Sequence, residues 1–200
     1  MFPTLPPSTQ DELEQLAQRY GRPLVHDAVL DTPGMFDPLN RTDRFGEVCM
    51  VVRRRNGNLL AIKKTFYPPG AYRLPTGGIN HGEHILDALR RETYEETGLE
   101  VNVTRFLAAV AYHVGSSEAN PLFYTFAFLL DEISGLLQVV DENERIEAFR
   151  EVKPADLLLM ADYLNGIGTQ HSSEINGDWR DWGRFRAVIH RLVWEALKAA

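Results

Sequence analysis

The residues of this chain best suited to chemistry are three glutamates, Glu92, Glu95 and Glu96, within "RLPTGGINHGEHILDALRRETYEETGLE", which runs from Arg73 to Glu100. Apolar residues at Ile85, Ala88 and Leu89 recur at helical spacing. Continuing that stripe reaches Glu92 and then Glu96, with Glu95 on the neighbouring edge. The first half of such a helix packs on a core, and the second half brings carboxylates onto the same face. On an exposed helix, like charges one turn apart cost only about 0.2–0.5 kcal/mol. On a partly buried face, two carboxylates ~6 Å apart repel by about 3 kcal/mol at an effective dielectric of about 20, which calls for protonation or a cation. Hard oxygen ligands around an open position favour Mg²⁺ or Mn²⁺. Spacing alone leaves both a metal site and a solvated acidic face open.

The flanking residues bear on that choice. Thr76-Gly77-Gly78 reads as a tight glycine turn whose backbone can approach a ligand closely. Gly82 and Glu83 then open the helix, whose free N-terminal amides attract anions. Gly98 is placed to end it as a C-cap.

Taken together these residues resemble the Nudix box, G-x5-E-x7-R-E-U-x-E-E-x-G-U, where U is a bulky aliphatic residue. Gly77 is the first glycine and Glu83 the first glutamate. Arg91 and Glu92 follow, then the pair Glu95 and Glu96, and Gly98 and Leu99 close the pattern. Thr93 departs from the first U position, keeping a β-branched shape but adding a hydroxyl. The resemblance covers about residues 45–159, within the boundary error of such readings.

What it implies is an α/β (α+β) fold, a Nudix-type α/β/α sandwich with a mixed β-sheet. The implied activity is Mg²⁺-dependent hydrolysis (Mn²⁺ as alternative) of a pyrophosphate linkage in a nucleoside diphosphate derivative, with ADP-ribose and nucleotide sugars favoured. By position, Glu92, Glu95 and Glu96 face the metal and Glu83 supports them. Arg91 orients the glutamates, although an exposed pair with Asp87 or Glu95 is an alternative. The general base comes from Glu144, Glu147 or Glu92. Gly77, Gly78, Arg73 and Lys63 are the candidate substrate-binding residues. A Nudix-like module that binds or senses a nucleotide without cleaving it is the competing reading. The resemblance also leaves room for a homodimer that exchanges its N-terminal arm.

Other polar and aromatic residues carry weaker signals. Lys63 and Lys64 follow each other on a strand, so at most one meets a given face, and a solvated position is the simpler reading for both. Arg53, Arg54 and Arg55 read as a solvated basic edge. Tyr72 could stack on a ligand or pack in its loop. His113 ends a strand and is more often structural than catalytic in such a place. Tyr112, Tyr124 and Phe126 are pocket candidates for which core packing is the simpler account. Trp179 and Trp182 could cover a cleft.

The elements that must position these groups follow from patterning. Two hundred residues, 44% hydrophobic and 24% charged, suit one globular domain with extensions. The formal net charge of −7 argues against a nucleic-acid partner and leaves a small anionic substrate screened by a cation. The lone Cys49 sits in an apolar run and reads as an inert, buried thiol in a reducing compartment. No stretch is long and apolar enough to span a membrane, and the N-terminus lacks signal-peptide character, so a cytoplasmic location is expected.

Three segments are expected. Residues 1–44 form an N-terminal helix, with a Thr9–Glu12 capping box, and an irregular arm that carries at most one short strand. Residues 45–160 form the Nudix domain. Residues 161–200 form a loop and a terminal helix striped by Trp182, Phe185, Ile189, Leu192 and Val193. Met1 to Pro7 read as frayed. "EVCMVVRRR" and "LLAIKKTF" read as strands of a hairpin turning at Asn56-Gly57. "VNVTRFLAAVAYHV", "PLFYTFAFLL" and "GLLQVV" read as further strands, and Asp156 to Tyr163 as a short helix.

Overall fold

The computed structural model describes residues 2–32, 35–116 and 120–199. The chain runs through helix α1 (Pro7–Tyr20), strands β1 (Leu24–Leu30), β2 (Arg44–Arg53), β3 (Leu59–Lys64) and β4 (Thr76–Asn80), and helix α2 (Ile85–Thr97). Strands β5 (Leu99–Val114), β6 (Phe123–Gly135) and β7 (Ile146–Val152) follow, then helix α3 (Leu157–Asn165), the short strands β8 (His171–Ser172) and β9 (Gly177–Asp178), and helix α4 (Trp179–Lys198). One mixed sheet has the order β1-β5-β6-β2-β3-β7, with β4 added to β2. β2 runs parallel to β6 with Val48 beside Phe126, and antiparallel to β4 with Val48 beside Gly77.

The sheet is covered on both faces, so its central strands are apolar on both. Val48, Met50 and Val52 of β2 face a core shared with Leu13 of α1 and Leu89 of α2, whereas Cys49 and Val51 face a core shared with Leu164 of α3 and Phe185 of α4. This is an α/β/α sandwich. Burial drives the Cys49 thiol above its usual range, so it is an inert core residue as expected. Among the described residues no helix is long and apolar enough to cross a membrane.

Several local expectations are corrected by packing. Thr9 and Glu12 do not form a capping box. α1 starts earlier, with Pro7 at its first position, and Glu12 instead accepts the Ile85 backbone N–H at 2.7 Å, docking α1 on the start of α2. The N-terminal segment described from Phe2 onward is anchored rather than frayed: Phe2 and Leu5 are buried, and the Phe2 ring lies 5.3 Å from Tyr124. The arm supplies a full strand, β1, paired in parallel with β5. "GSSEAN" falls partly on residues 117–119, outside the described residues. The expected loop before α4 contains the β8–β9 hairpin.

"GLLQVV" forms no strand beyond Gly135. Its continuation donates backbone N–H groups to the end of α2, from Gln138 to Thr97 O (3.0 Å) and from Val140 and Asp141 to Glu95 O (3.0 and 3.1 Å). Helix C-terminal carbonyls lack intrahelical partners. Satisfying them here lays the 3-10 turn Glu142–Glu144 beside α2. Gly98 closes the helix in the left-handed conformation at φ 66°, as its position implied.

Candidate active site

α2 buries Ile85, Ala88 and Leu89 and then, on the same face, Glu92, Thr93 and Glu96. The hydroxyl of Thr93, the departure from the box pattern, donates to Leu89 O at 2.6 Å, so its polar group is satisfied within the helix. Thr76, Gly77 and Gly78 are not a turn. They form β4, and neither glycine has a positive φ. Glycine is required there by close approach. A Cβ on Gly77 would fall inside the side chain of Glu92, and a Cβ on Gly78 inside the guanidinium of Arg44. The alternation of a strand sends these two spaces to opposite faces.

Carboxylate oxygens of Glu92, Glu96 and Glu144 lie within 4.8 Å of one another. Lys64 Nζ is 2.7 Å from Glu144 and 3.5 Å from Glu96. Glu96 is 0% exposed, and neither of its carboxylate oxygens has a hydrogen-bond partner among the described residues. Desolvation pushes Glu96 up to about 8, against the pull of Lys64 and Arg73. Desolvation also raises Glu92. At Glu144 desolvation is outweighed by the charge and hydrogen bond of Lys64, which hold it below the usual carboxylate range. At these separations carboxylate repulsion is about 3 kcal/mol per pair at an effective dielectric of about 20. An oxygen-only donor set with two orphaned, buried oxygens fits a hard divalent cation, Mg²⁺ or Mn²⁺.

Arg91 organises the remaining box acids. Its guanidinium donates to both oxygens of Glu83 (2.8 and 2.9 Å), to Glu92 (2.7 Å), to Glu95 (3.0 Å) and to Gly78 O (3.0 Å). Glu83, read from the sequence as a supporting acid, gives both carboxylate oxygens to Arg91, and Glu95, read as metal-facing, gives one. Glu83 also accepts the Asn80 N–H at 3.0 Å and precedes α2 instead of opening it. Of the two lysines it is Lys64 that reaches the cluster. Lys63, the candidate substrate-binding lysine, pairs instead with Glu147 at 2.7 Å. Alternation on β3 announced that only one lysine could point inward, but not which.

Beside the carboxylates, and sharing Lys64 and Gly78 with them, lies a cavity of about 230 Å³. Its floor is a buried polar network that the sequence did not reveal, because it is completed by Arg186 from the distant α4. Arg186 pairs with Glu47 at 2.6 Å and Thr125 donates to the same oxygen at 3.0 Å. Arg73, also buried, donates to the Tyr67 hydroxyl (2.8 Å), Leu74 O (2.8 Å) and Thr76 Oγ1 (3.0 Å). Trp182 lines the cavity and packs 4.7 Å from Tyr67. Trp179 tucks against Tyr67 at 5.9 Å.

The other aromatic candidates lie in packing roles. Tyr112 and Phe126 are buried, Tyr124 shares a hydrogen bond of 2.6 Å with Thr4, and Tyr72 carries the Arg150 guanidinium at 3.7 Å. His113 sits 3.1 Å from Asp27 of β1. Arg53 and Arg54 are paired with Asp131 and Glu132 at 2.7 Å each.

His190 ties α4 to the strand entry. Its Nε2 accepts the Leu74 N–H at 3.0 Å, so Nδ1 carries the proton and donates to Arg186 O at 2.7 Å. Burial pushes this imidazole down to about 4. The folded value lies below the unfolded one of about 6.5, so its stability contribution is complete above that pH and is lost as pH falls towards 4. Between pH 7 and 4.5 the loss attributable to His190 is on the order of 2–3 kcal/mol. Urea unfolding of wild type and His190→Gln at both pH values should show a pH-dependent stability change smaller by about that amount in the variant.

A sandwich whose crossover helix turns buried glutamates toward a glycine-bearing strand has the Nudix-type fold. The chain belongs to the Nudix family: the NUDIX domain model matches residues 43–168. It is 28% identical over 162 residues to Nudix hydrolase 2 of Arabidopsis thaliana, covering 74% of this chain and 55% of that protein. It is 30% identical over 117 residues to the nucleoside triphosphatase NudI of Escherichia fergusonii, covering 54% of this chain and 78% of that one. A crystal structure of UDP-X diphosphatase superposes with a TM-score of 0.50 at 16% identity, over 82% of this chain and 68% of that chain, a likeness of fold. The chain spans about half the length of Nudix hydrolase 2 and of Nudix hydrolase 6 from Arabidopsis thaliana, 55% and 46%.

Proposed function

We propose that this protein is a divalent-cation-dependent hydrolase of a pyrophosphate linkage in a nucleoside diphosphate derivative, of the ADP-ribose or nucleotide-sugar kind. The observation that carries this reading is Glu96, fully buried beside Glu92 and Glu144, with Lys64 Nζ 3.5 Å away and no hydrogen bond to either carboxylate oxygen among the described residues. Those three residues would hold Mg²⁺ or Mn²⁺. When bound, such an ion supplies neutralisation of phosphate oxygens and acidification of water.

The chain's own residues do the rest. Arg91 fixes Glu92 from outside the cluster and braces it through Glu83, Glu95 and the Gly78 carbonyl. Lys64 keeps Glu144 ionised, and Glu144 lies at the more exposed edge of the set, where it can take the proton of an attacking water. Glu147, exposed and paired with Lys63, fits the base role less well.

Released nucleotide is the direct readout. Protein stripped with a chelator should be inactive on a panel of nucleoside diphosphate compounds, and Mg²⁺ or Mn²⁺ should restore turnover by at least ~10²-fold. Tight nucleotide binding without turnover in either metal would favour the silent binding module instead.

A further inference from the structure

Of the three clustered carboxylates, Glu92 and Glu96 are carried by α2, whereas Glu144 ends the short 3-10 turn Glu142–Glu144. Its position therefore depends on what holds that turn. The entrance is fixed by the bonds from Val140 and Asp141 to Glu95 O, and by the Asp141 carboxylate, which accepts the Asn143 N–H at 2.9 Å. The exit is Arg145, at φ 53° and ψ 35°. That left-handed conformation disfavours any residue with a Cβ and persists where the surroundings fix it. The Arg145 N–H donates to Glu142 O (3.1 Å), and its carbonyl accepts the Thr65 N–H (2.8 Å). Its guanidinium lies 4.5 Å from the centre of the Phe66 ring and donates to both oxygens of Glu174, at 2.7 and 3.1 Å.

Glu174 has a firm base. It lies between β8 and β9, beside the buried Ile175, whose carbonyl accepts the Asp37 N–H at 2.7 Å, and Gly177 of the same hairpin packs directly against Phe36. This hairpin lies outside the matched residues 43–168. Arg145 and Glu174 are both exposed, and an exposed ion pair adds little to global stability. What this one fixes is local: the left-handed residue directly after Glu144.

We propose that Arg145 and Glu174 are positioning residues for Glu144, with the C-terminal hairpin clamping the exit of the turn so that this carboxylate stays beside Glu92 and Glu96. Arg145 sets the direction in which the chain leaves the turn, and Phe66 and Glu174 fix the Arg145 side chain. The bond to Thr65 ties the same exit to the residue after Lys64, which meets the Glu144 carboxylate at 2.7 Å. With the clamp removed, Glu144 leaves the cluster while α2 keeps Glu92 and Glu96 in place. The proton-accepting role of Glu144 rests on the hydrolase reading, but the clamp does not.

Two variants of the full chain separate the parts of the clamp. Glu174→Gln removes the ion pair, and Arg145→Gly removes pair and stack while leaving the left-handed conformation accessible. In the cation-free protein, hydrogen exchange at the amides of Thr65, Glu144 and Arg145 should be about 5-fold faster in both. Calorimetry with Mn²⁺ should show affinity weakened by about 10-fold, toward that of Glu144→Gln. In turnover, kcat should fall about 10-fold with KM within about 2-fold of wild type, and the melting temperature should not change. Arg145→Lys, which keeps a cation beside Glu174, should recover part of the loss. Arg191→Gln breaks a comparable exposed pair, 2.6 Å from Asp162, and should match wild type in every assay. Amide exchange and Mn²⁺ affinity unchanged in Glu174→Gln and Arg145→Gly overturn the proposal. A loss of kcat that tracks a lower melting temperature does so too, since it marks a purely structural contact. Faster exchange and weaker Mn²⁺ binding in a protein that turns over no diphosphate compound leave the clamp standing and remove the hydrolase reading instead.

Discussion

Replacing Glu96 with glutamine is expected to lower cation-dependent turnover by at least ~10²-fold while making the cation-free protein more stable. Both halves come from one geometric fact. Glu96 sits with no exposed surface and no hydrogen-bond donor on either oxygen, 3.5 Å from Lys64 and within 4.8 Å of two further carboxylates. Without a cation this carboxylate is a liability. The folded state holds its proton up to about 8, well above the usual glutamate value, so ionising it near neutral pH opposes folding. Glutamine has the same shape and removes the charge, which should raise cation-free stability by about 1–3 kcal/mol. It also removes the anionic ligand, so added Mg²⁺ should no longer raise the melting temperature as it does for wild type. Thermal melts with and without Mg²⁺, run beside the activity assay, decide the matter. A variant that loses activity and melts lower than wild type without metal would mark Glu96 as a structural residue.

Substituting Gly77 with alanine should be nearly as damaging to turnover, by about 10²-fold, through a different route. What matters at Gly77 is the absence of a side chain. Its missing side chain is the space in which the Cγ, Cδ and one oxygen of Glu92 lie. A methyl group there must drive Glu92 away from Glu96 and Glu144, breaking its 2.7 Å contact with Arg91. Misplacement of a positioned group by about 1 Å can cost ~10² in rate. The fold should pay less, about 1–3 kcal/mol, as for other overpacked positions. Titrating Mg²⁺ against activity should show a weaker apparent metal affinity for Gly77→Ala. Gly78→Ala is the matched comparison: its methyl meets the flexible tip of Arg44, on the other face, and should leave metal dependence near wild type. Equal loss of metal affinity in both variants would mean that β4 as a whole, and not the Glu92 space, is disturbed.

How far the site could be read from the chain depended on how local each relationship was. The stripe through Ile85, Leu89, Glu92 and Glu96 is set by helical repeat, and the helix buries that face as spacing implied. Gly98 ends α2 for a reason visible in one residue. The glycine pair was read as a tight turn open to a ligand and is instead a strand, because the partners that need its space, Glu92 and Arg44, lie 15 and 34 residues away and reach it from opposite faces.

The amino-acid sequence by itself determined a helix whose apolar stripe runs on into Glu92 and Glu96 and the strands around it, since those depend on periodicities of 3.6 and 2 residues, and it left open whether the acidic end of that face is buried. The tertiary structure alone decided which lysine meets the acids, that Glu144 rather than Glu147 joins Glu96, and that Arg186 and Trp182 of the last helix close the neighbouring cavity. Strand alternation fixes that neighbouring side chains point apart, but which face becomes the site depends on pairing and helix docking across the whole chain, and no short window of residues contains that information.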